Sequence, residues 1–355
     1  MKKQKYYSSK KLLKVDCDYY IIIGKRSNGK SFDIKSLCLK DAYENDNNFV
    51  YMRRWTHERT ANKVEQYFAD EKLFEVNDFG IYTDVKAWTD KIYFGKLGDK
   101  GKIEKDKLIG YSVALASDTH YKSLAFPNVK NIIFEEFITD SGYLGNNEPD
   151  IFMSLLSTIV RDKKARVFMI GNTINRFCPY FSVFGIDITQ LKKGDIVYYE
   201  FNNNGNKIKV GIEYCNDNIN TGKMILGNSA KMIDGGEWLT SKVPLVKRDT
   251  RQDELFGKYY VTKENTTYKC LILVDDTRQP YIFCYPYNKI DNIKASDRWF
   301  TDKIEMTSLQ HSANLTMSLN CDIIIKELYK LNRICYSDSL TGTEFEIIRN
   351  ERGWK

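Results

Sequence analysis

The chain has little of what metal-binding and disulfide-stabilised proteins depend on. Its 355 residues include only three histidines, which lie far apart, so a zinc site is not expected. The eight cysteines form no C-x-x-C pair and several lie in apolar runs, which predicts buried free thiols in a reducing compartment. No apolar run exceeds strand length, and the basic amino terminus has no apolar segment. We therefore expect neither a membrane span nor a signal peptide.

Positive charge is distributed unevenly along the chain. The net charge is +7, and residues 1–40 alone contain eleven Lys and Arg against three Asp. Two interpretations stay open for this excess. It is either a solvated basic arm or a surface that binds nucleic acid or another polyanion.

The strongest local signal is the string GKRSNGKS, which fits the phosphate-binding pattern G-x-x-x-x-G-K-[ST]. A buried strand over 18–23 is predicted before it and a helix over 31–43 after it. Glycines let consecutive amides point at an anion, and the helix amino terminus adds positive charge. The lysine can reach the β- and γ-phosphates, and the final hydroxyl can hold Mg²⁺, so we predict a nucleoside triphosphate site. Its residues are Gly24, Lys25, Arg26, Ser27, Asn28, Gly29, Lys30 and Ser31.

Strand and helix signals alternate through about the first 200 residues, which predicts an α/β domain with a mostly parallel sheet. Gly-rich turns within 74–116 predict a β-hairpin inserted into that sheet. After residue 246, three β runs in meander order, a helix over 321–333 and a final strand, FEIIRN, predict a separate α+β domain. The predicted divisions are a P-loop domain over 1–212, a linking segment over 213–245 and a second domain over 246–355.

Two acids end the apolar strand within NVKNIIFEEF. In a parallel sheet, this end of the strand faces the same edge as the P-loop. Glu135 is expected to lie near Mg²⁺, directly or through water. Glu136 points the other way and could polarise an attacking water molecule. The alternative for both is a pair of surface acids at a strand end.

Two further residues are candidates for roles in hydrolysis. Asn172 follows the next strand and could hold the lytic water or sense the γ-phosphate, although a loop-capping role stays open. Arg161 ends a helix predicted over 148–163. It is a candidate arginine finger that acts across a subunit boundary, or a helix-end arginine that complements the helix dipole.

The sequence disfavours two other classes of nucleotide enzyme. The string N-K-x-D at 288–291 matches a guanine-reading motif, but it lies in the other predicted domain and the chain has no D-x-x-G, so it is predicted to be a turn. A small-molecule kinase would need an arginine-rich lid, and Arg53 and Arg54 alone do not make one.

In this order, the motifs resemble the DNA-packaging (encapsidation) ATPases of small phi29-type phages. The resemblance covers most of 15–185 and is carried by GKRSNGKS, FVYMRRW, FPNV-x-x-I-x-F-x-E-F-I and IGNT-x-x-x-x-x-PYF. It implies an ASCE-type P-loop motor that uses ATP and Mg²⁺. It also implies a homomeric ring, expected to be a pentamer, that drives double-stranded DNA inward at the portal (connector) of an empty capsid. A structural packaging RNA is a further candidate partner, and the implied location is the cytoplasm of the infected host.

The resemblance also implies roles for individual residues. Glu136 falls on the catalytic glutamate, and Glu135 falls where the family usually carries a metal-side Asp, a departure that leaves direct metal contact open. Arg161 falls on the trans-acting arginine. Lys122 falls on a basic residue that reaches the neighbouring subunit's nucleotide, and Asn172 on the polar residue that ends the fourth motif's strand.

For the second domain, the resemblance implies an RNase H-like nuclease that has lost its active site. The first β run, KYYVTKEN, offers no Asp, and Asp275 and Asp276 end the second run instead. We therefore expect a nucleic-acid-binding or portal-docking module. Two rival interpretations stay open: a large terminase with an active nuclease, and an assembly protein that binds ATP without turnover.

Overall fold

The described residues form two compact units, one up to residue 216 and one from 238 onward. The predicted linking segment over 213–245 lies mostly outside the described residues, and its first two residues complete the last strand of the first unit. The computed structural model describes residues 6–139, 142–145, 147–203, 205–216, 238, 243–246, 250–294, 297–301 and 323–354.

A nine-stranded mixed sheet forms the first unit. Its strands are β1 (Tyr19–Gly24), β2 (Asn48–Arg53), β3 (Tyr82–Trp88), β4 (Lys91–Leu97), β5 (Ile103–Ala114), β6 (Val129–Glu135), β7 (Arg166–Asn172), β8 (Ile196–Asn203) and β9 (Asn206–Tyr214). Their order in space is β3-β4-β5-β2-β6-β7-β1-β9-β8. Neighbours from β5 to β9 run parallel, and antiparallel pairs extend both edges. The predicted α/β class is confirmed, with β7 standing between the P-loop strand and the acidic strand.

Helices cover both faces of this sheet. They are α1 (Lys30–Asn45), α2 (Ala61–Phe68), α3 (Glu71–Val76), α4 (Asp118–Tyr121), α5 (Glu148–Val160) and α6 (Pro179–Val183). On one face, Ile34 of α1 belongs to the same buried cluster as Ile133 of β6. On the other face, the ring of Phe152 in α5 stacks on Phe134, with centroids 5.3 Å apart. Because successive strand residues alternate between faces, Glu135 lies on the α1 face.

The prediction of a hairpin inserted into the sheet within 74–116 was wrong about the number of strands and their position. Three strands, β3, β4 and β5, form an antiparallel meander at the edge of the parallel sheet, and β5 runs parallel to β2. The twelve-residue β5 is long enough to pair with both neighbours. Gly110 permits the close approach, because a Cβ there would lie 2.4 Å from the carbonyl oxygen of Phe49.

The second unit contains a five-stranded mixed sheet with the order β13-β10-β11-β12-β14. Its elements are β10 (Glu254–Lys263), β11 (Thr266–Val274), β12 (Pro280–Pro286), β13 (Arg298–Phe300), α7 (Ile323–Lys330), β14 (Ile334–Tyr336) and α8 (Ser339–Glu351). The predicted meander corresponds to β10, β11 and β12, which are antiparallel. The N-K-x-D string leads into a short 3-10 turn, Ile290–Asn292.

The predicted final strand, FEIIRN, is wrong, because these residues belong to α8. Asp338 caps the helix by accepting a hydrogen bond from the backbone N of Thr341 at 2.9 Å. Phe345 and Ile348, three residues apart, are both fully buried. Burial therefore repeats with the period of a helix, and the apolar run alone could not distinguish this from a strand.

Two expectations from composition can be compared with the described residues. None of their helices has both the length and the apolar character needed to cross a bilayer. Seven cysteines fall among them, and all seven are free thiols, of which only Cys335 is not fully buried.

Candidate functional site

The predicted phosphate-binding loop connects β1 to α1, and its two glycines are needed for different reasons. Gly29 has a φ of 96°, in the left-handed region that favours glycine, and it immediately precedes α1. Gly24 is required because there is no room for a side chain, since a Cβ there would lie 2.9 Å from the Cβ of Cys215. The first free N–H groups of α1 and the positive end of its dipole therefore lie at the loop.

Lys30 lies inside the loop, with 4% of its side chain exposed. Its Nζ donates to the carbonyl oxygens of Gly24 at 3.1 Å and Lys25 at 2.6 Å. It also donates to Oδ1 of Asn172, at the end of β7, at 3.4 Å. All three acceptors are neutral, so a charged phosphate oxygen would be a stronger partner for this ammonium group.

The other loop residues divide into a buried set and an exposed set. Lys25 and Asn28 are buried, whereas Arg26 and Ser27 are exposed. Oδ1 of Asn28 accepts a hydrogen bond from the backbone N of Lys30 at 3.2 Å. Part of the loop's shape is therefore held by its own asparagine, while its exposed residues stay available to a ligand.

Glu135, the last residue of β6, is a buried carboxyl group, 6% exposed. The hydroxyl of Tyr67 donates to its Oε1 at 2.6 Å, and the Ser31 hydroxyl also hydrogen-bonds to it. Burial raises the pKa of Glu135 above its ordinary value, although hydrogen bonds from Ser31 and Tyr67 act in the opposite direction. A divalent cation beside Ser31 and Glu135 would favour the ionised carboxylate, so this pair suits a metal ion.

At neutral pH, Glu135→Gln is expected to raise the melting temperature of the ligand-free protein. The folded state raises this carboxyl's pKa, so ionising it reduces stability as the pH rises above the unfolded value of about 4.3. Glutamine removes this cost and still accepts from Tyr67. Calorimetry at pH 7 should show the increase, and the difference should shrink towards pH 4. A lower melting temperature at pH 7 would refute this account.

Glu136 lies just beyond β6 in an unusual backbone conformation. Its φ is 56°, and its backbone N donates to the carbonyl oxygen of Ile170 at 2.9 Å. Half of its side chain is exposed. Nη2 of Arg53 donates to a carboxylate oxygen of Glu136 and to one of Glu58, each at 2.8 Å. This guanidinium holds the carboxylate, so the pairing must loosen before the Glu136 side chain can turn to a water molecule in the cavity.

Arg54 hydrogen-bonds to the backbone of the same loop. Its Nη1 and Nη2 donate to the carbonyl oxygens of Glu136 at 3.0 Å and Phe137 at 2.7 Å. Its Nε donates to the fully buried carboxylate of Glu148, which also accepts from the Tyr180 hydroxyl at 2.8 Å. The sequence did not predict these roles, and the paired arginines within FVYMRRW were the available signal.

One cavity of about 630 Å³ brings the predicted residues together at the carboxyl end of the parallel sheet. Its lining includes Lys30, Ser31, Glu135, Glu136 and Asn172, which come from three separate strings of the sequence. The volume lies in the range of sites for small molecules and cofactors. The cavity therefore offers a lysine, a hydroxyl, two carboxylates and an amide to a single ligand.

Arg161 and Lys122 lie outside this cavity. Arg161 follows α5, and its exposed guanidinium donates from Nη2 to the carbonyl oxygen of Leu124 at 3.0 Å. Lys122 follows α4 and pairs with Asp118 at 3.5 Å. The thirteen-residue α5 spans about 20 Å and leads to the amino end of β7, so Arg161 lies towards the opposite edge of the sheet. In the described conformation, neither residue lines the P-loop cavity of its own chain.

Comparisons with known proteins match this chain to DNA encapsidation and DNA packaging proteins of phages. A family model described as Podovirus DNA encapsidation protein (Gp16) matches residues 1–283. A DNA packaging protein of Bacillus phage B103 is 30% identical over 182 residues, which are 49% of this chain and 50% of that protein. The DNA packaging protein of Bacillus phage phi29 is 28% identical over 195 residues, 52% of each. The chain thus spans about half the length of the curated relatives that it matches.

Among solved structures, a chain of the bacteriophage phi29 viral genome packaging motor assembly is similar in fold. The two chains are 20% identical with a TM-score of 0.56, and the match covers 99% of each. At this level of identity, the likeness concerns the fold alone.

Proposed function

This chain belongs to the podovirus DNA encapsidation protein (Gp16) family, and we propose that it hydrolyses ATP to drive double-stranded viral DNA into a preformed capsid. The observation that carries the proposal is the cavity in which Lys30, Glu135, Glu136 and Asn172 meet. The subunits would form a homomeric ring, expected to be a pentamer, on the capsid portal in the host cytoplasm. A structural packaging RNA is a further candidate partner.

Magnesium-bound ATP fits the donor groups of the cavity. The loop's amides and Lys30 would bind the β- and γ-phosphates, and Ser31 with Glu135 would hold Mg²⁺, which would offset negative charge on the phosphates. Within the described ranges, no group of three or more His, Cys, Asp and Glu is placed to hold a metal ion. This suits Mg²⁺, which commonly binds through one or two protein ligands together with water and substrate phosphates.

Glu136 would orient and deprotonate the attacking water. In the ligand-free chain its carboxylate is paired with Arg53, which also contacts Glu58. Release from Arg53 would free the Glu136 carboxylate to turn towards the γ-phosphate. The loop that carries Glu136 is fixed by Arg54, so the side chain can move while its backbone stays in place.

Arg161 and Lys122 would act on the nucleotide of a neighbouring subunit. Both are exposed, and both lie outside the cavity of their own chain. An arginine finger supplied from another molecule stabilises charge that develops on the transferred phosphoryl group. Hydrolysis would then require an assembled ring, which couples turnover to the engagement of DNA.

The second unit is proposed to bind nucleic acid or the portal without cutting DNA. Oδ1 of Asp275 accepts from the backbone N of Thr277 and of Gln279, each at 2.9 Å, so this carboxylate closes a turn. A two-metal nuclease needs a cluster of acids. In the part of the chain that the structure describes, no group of three or more His, Cys, Asp and Glu is placed to hold a metal ion. Nicking of plasmid DNA by the full chain with Mn²⁺, abolished by Asp275→Ala, would instead favour a large terminase.

Turnover of ATP by the full chain, with and without double-stranded DNA, tests the proposed function. DNA should stimulate phosphate release, and the stimulation should decline steeply with salt, because contacts to phosphates release counterions. Lys30→Ala should remove ATP binding and turnover, whereas Lys63→Ala, which removes an exposed lysine of α2, should change neither. ATP binding without any turnover in the assembled ring would favour the alternative of an assembly protein.

A further inference from the structure

The cavity also has an aromatic and apolar part that the chemistry of phosphate transfer does not use. Tyr6, Phe32 and Val76 belong to its lining. Tyr6 is 59% exposed and Val76 is 68% exposed, although both are large apolar side chains that line the cavity. A ligand that fills only the phosphate-binding part would leave these groups in water.

Tyr6 begins a segment, 6–9, that is attached directly to the phosphate-binding loop. The backbone N of Tyr7 donates to the carbonyl oxygen of Asn28 at 3.0 Å. The backbone N and the hydroxyl of Ser9 donate to one carboxylate oxygen of Asp33, in the first turn of α1, at 2.8 and 2.5 Å. The segment is therefore held on both the loop and the helix that follows it.

The neighbouring tyrosine serves as the anchor of this segment. The hydroxyl of Tyr7 donates to Oε2 of Glu213 in β9 at 3.0 Å, and the side chain is half-buried. Tyr6 is less buried and lies over the loop at Gly29. A Cβ added at Gly29 would lie 3.3 Å from the Cβ of Tyr6. Its backbone is fixed by its neighbours while its ring remains open to a ligand.

We propose that Tyr6 forms the nucleobase subsite of this cavity, with its ring stacked on the purine of a bound nucleoside triphosphate. The inference builds on the proposed nucleotide function. A triphosphate gripped at Lys30 must place its ribose and base in the remaining part of the cavity, where Tyr6 and Phe32 supply the aromatic surface. Aromatic side chains stack on any base, and a purine offers the larger face.

Binding of two probes, a non-hydrolysable ATP analogue and inorganic tripolyphosphate, separates base contacts from phosphate contacts. Calorimetry with Mg²⁺ on the full chain should show that Tyr6→Ala lowers the affinity for the ATP analogue by about 5- to 100-fold. Affinity for tripolyphosphate, which has neither ribose nor base, should stay within about twofold. Tyr6→Phe should keep the affinity for both probes, because it keeps the ring.

Trp88→Ala provides a matched control, because Trp88 has the same exposed fraction as Tyr6, 59%, and lies outside the cavity. It should alter neither affinity. Equal weakening of both probes by Tyr6→Ala would mean that Tyr6 only shapes the loop, and would overturn the subsite. Unchanged affinity for the analogue would overturn it as well. Failure of the parent chain to bind either probe would instead reject the nucleotide site itself, and the subsite with it.

Discussion

Glu136→Gln is expected to reduce ATP turnover by about 10²- to 10⁴-fold while ATP binding is retained. The side chain lines the same cavity as Lys30 and is half-exposed, so with ATP bound as proposed it would reach a water molecule next to the γ-phosphate. Glutamine has nearly the same shape but cannot accept a proton. Single-turnover phosphate release, measured together with nucleotide affinity, separates the loss of chemistry from a loss of binding.

Glu58→Gln is the matched control for this variant. Glu58 shares the same guanidinium of Arg53 at the same 2.8 Å distance, but it does not line the cavity. Its replacement should change turnover only a few-fold, through the strength of the remaining Arg53–Glu136 pair. If Glu136→Gln kept full turnover, or lost nucleotide affinity to the same extent as turnover, Glu136 would not be the base.

If Glu136 is the base, its pairing with Arg53 would limit hydrolysis until the two side chains part. While the guanidinium holds the carboxylate, the side chain is turned towards β2. Conformational changes that part these side chains would raise turnover. The ends of β2 and β6 are therefore where assembly of the proposed ring would control the proposed hydrolysis.

Those parts of the site that are contiguous in sequence could be predicted without a structure. The P-loop needs glycines and a lysine at fixed spacing, and the acidic strand is an apolar run that ends in two carboxylates. Their meeting follows from the rule that parallel strands present their carboxyl ends at one edge. Glu135, Asn172 and Lys30 line one cavity for this reason. Whether each performs its assigned role stays a prediction.

Side-chain pairs outside the parallel strand ends could not be predicted. Arg54 and Glu148 are 94 positions apart, and neither position has a pattern that points to the other. Their pairing depends on how the loop after β6 returns to α5, which is a property of the packed chain. The prediction for the last element, FEIIRN, was wrong for a related reason. The burial of both Phe345 and Ile348 is decided by the sheet on which α8 packs.

Arg161→Ala is expected to lower turnover by about 10³- to 10⁵-fold, or roughly 4–7 kcal/mol of barrier, if the guanidinium completes a neighbour's site. Its location outside the cavity of its own chain makes action within one subunit geometrically unfavourable. Arg161→Lys should not restore turnover, because an ammonium group lacks the planar pair of donors that guanidinium offers to phosphate. The thermal stability of each variant should remain close to that of the parent, since the side chain is exposed.

Mixed rings distinguish action in trans from a structural role. Subunits with Arg161→Ala keep Glu136, and subunits with Glu136→Gln keep Arg161, so some interfaces in a mixed ring regain both groups. Turnover should therefore recover partly on mixing, in proportion to the number of such interfaces. Lys163→Ala removes an exposed cation two residues away and should leave turnover unchanged. If mixing restored nothing, Arg161 would have to support its own subunit, and the ring would not need it at the interface.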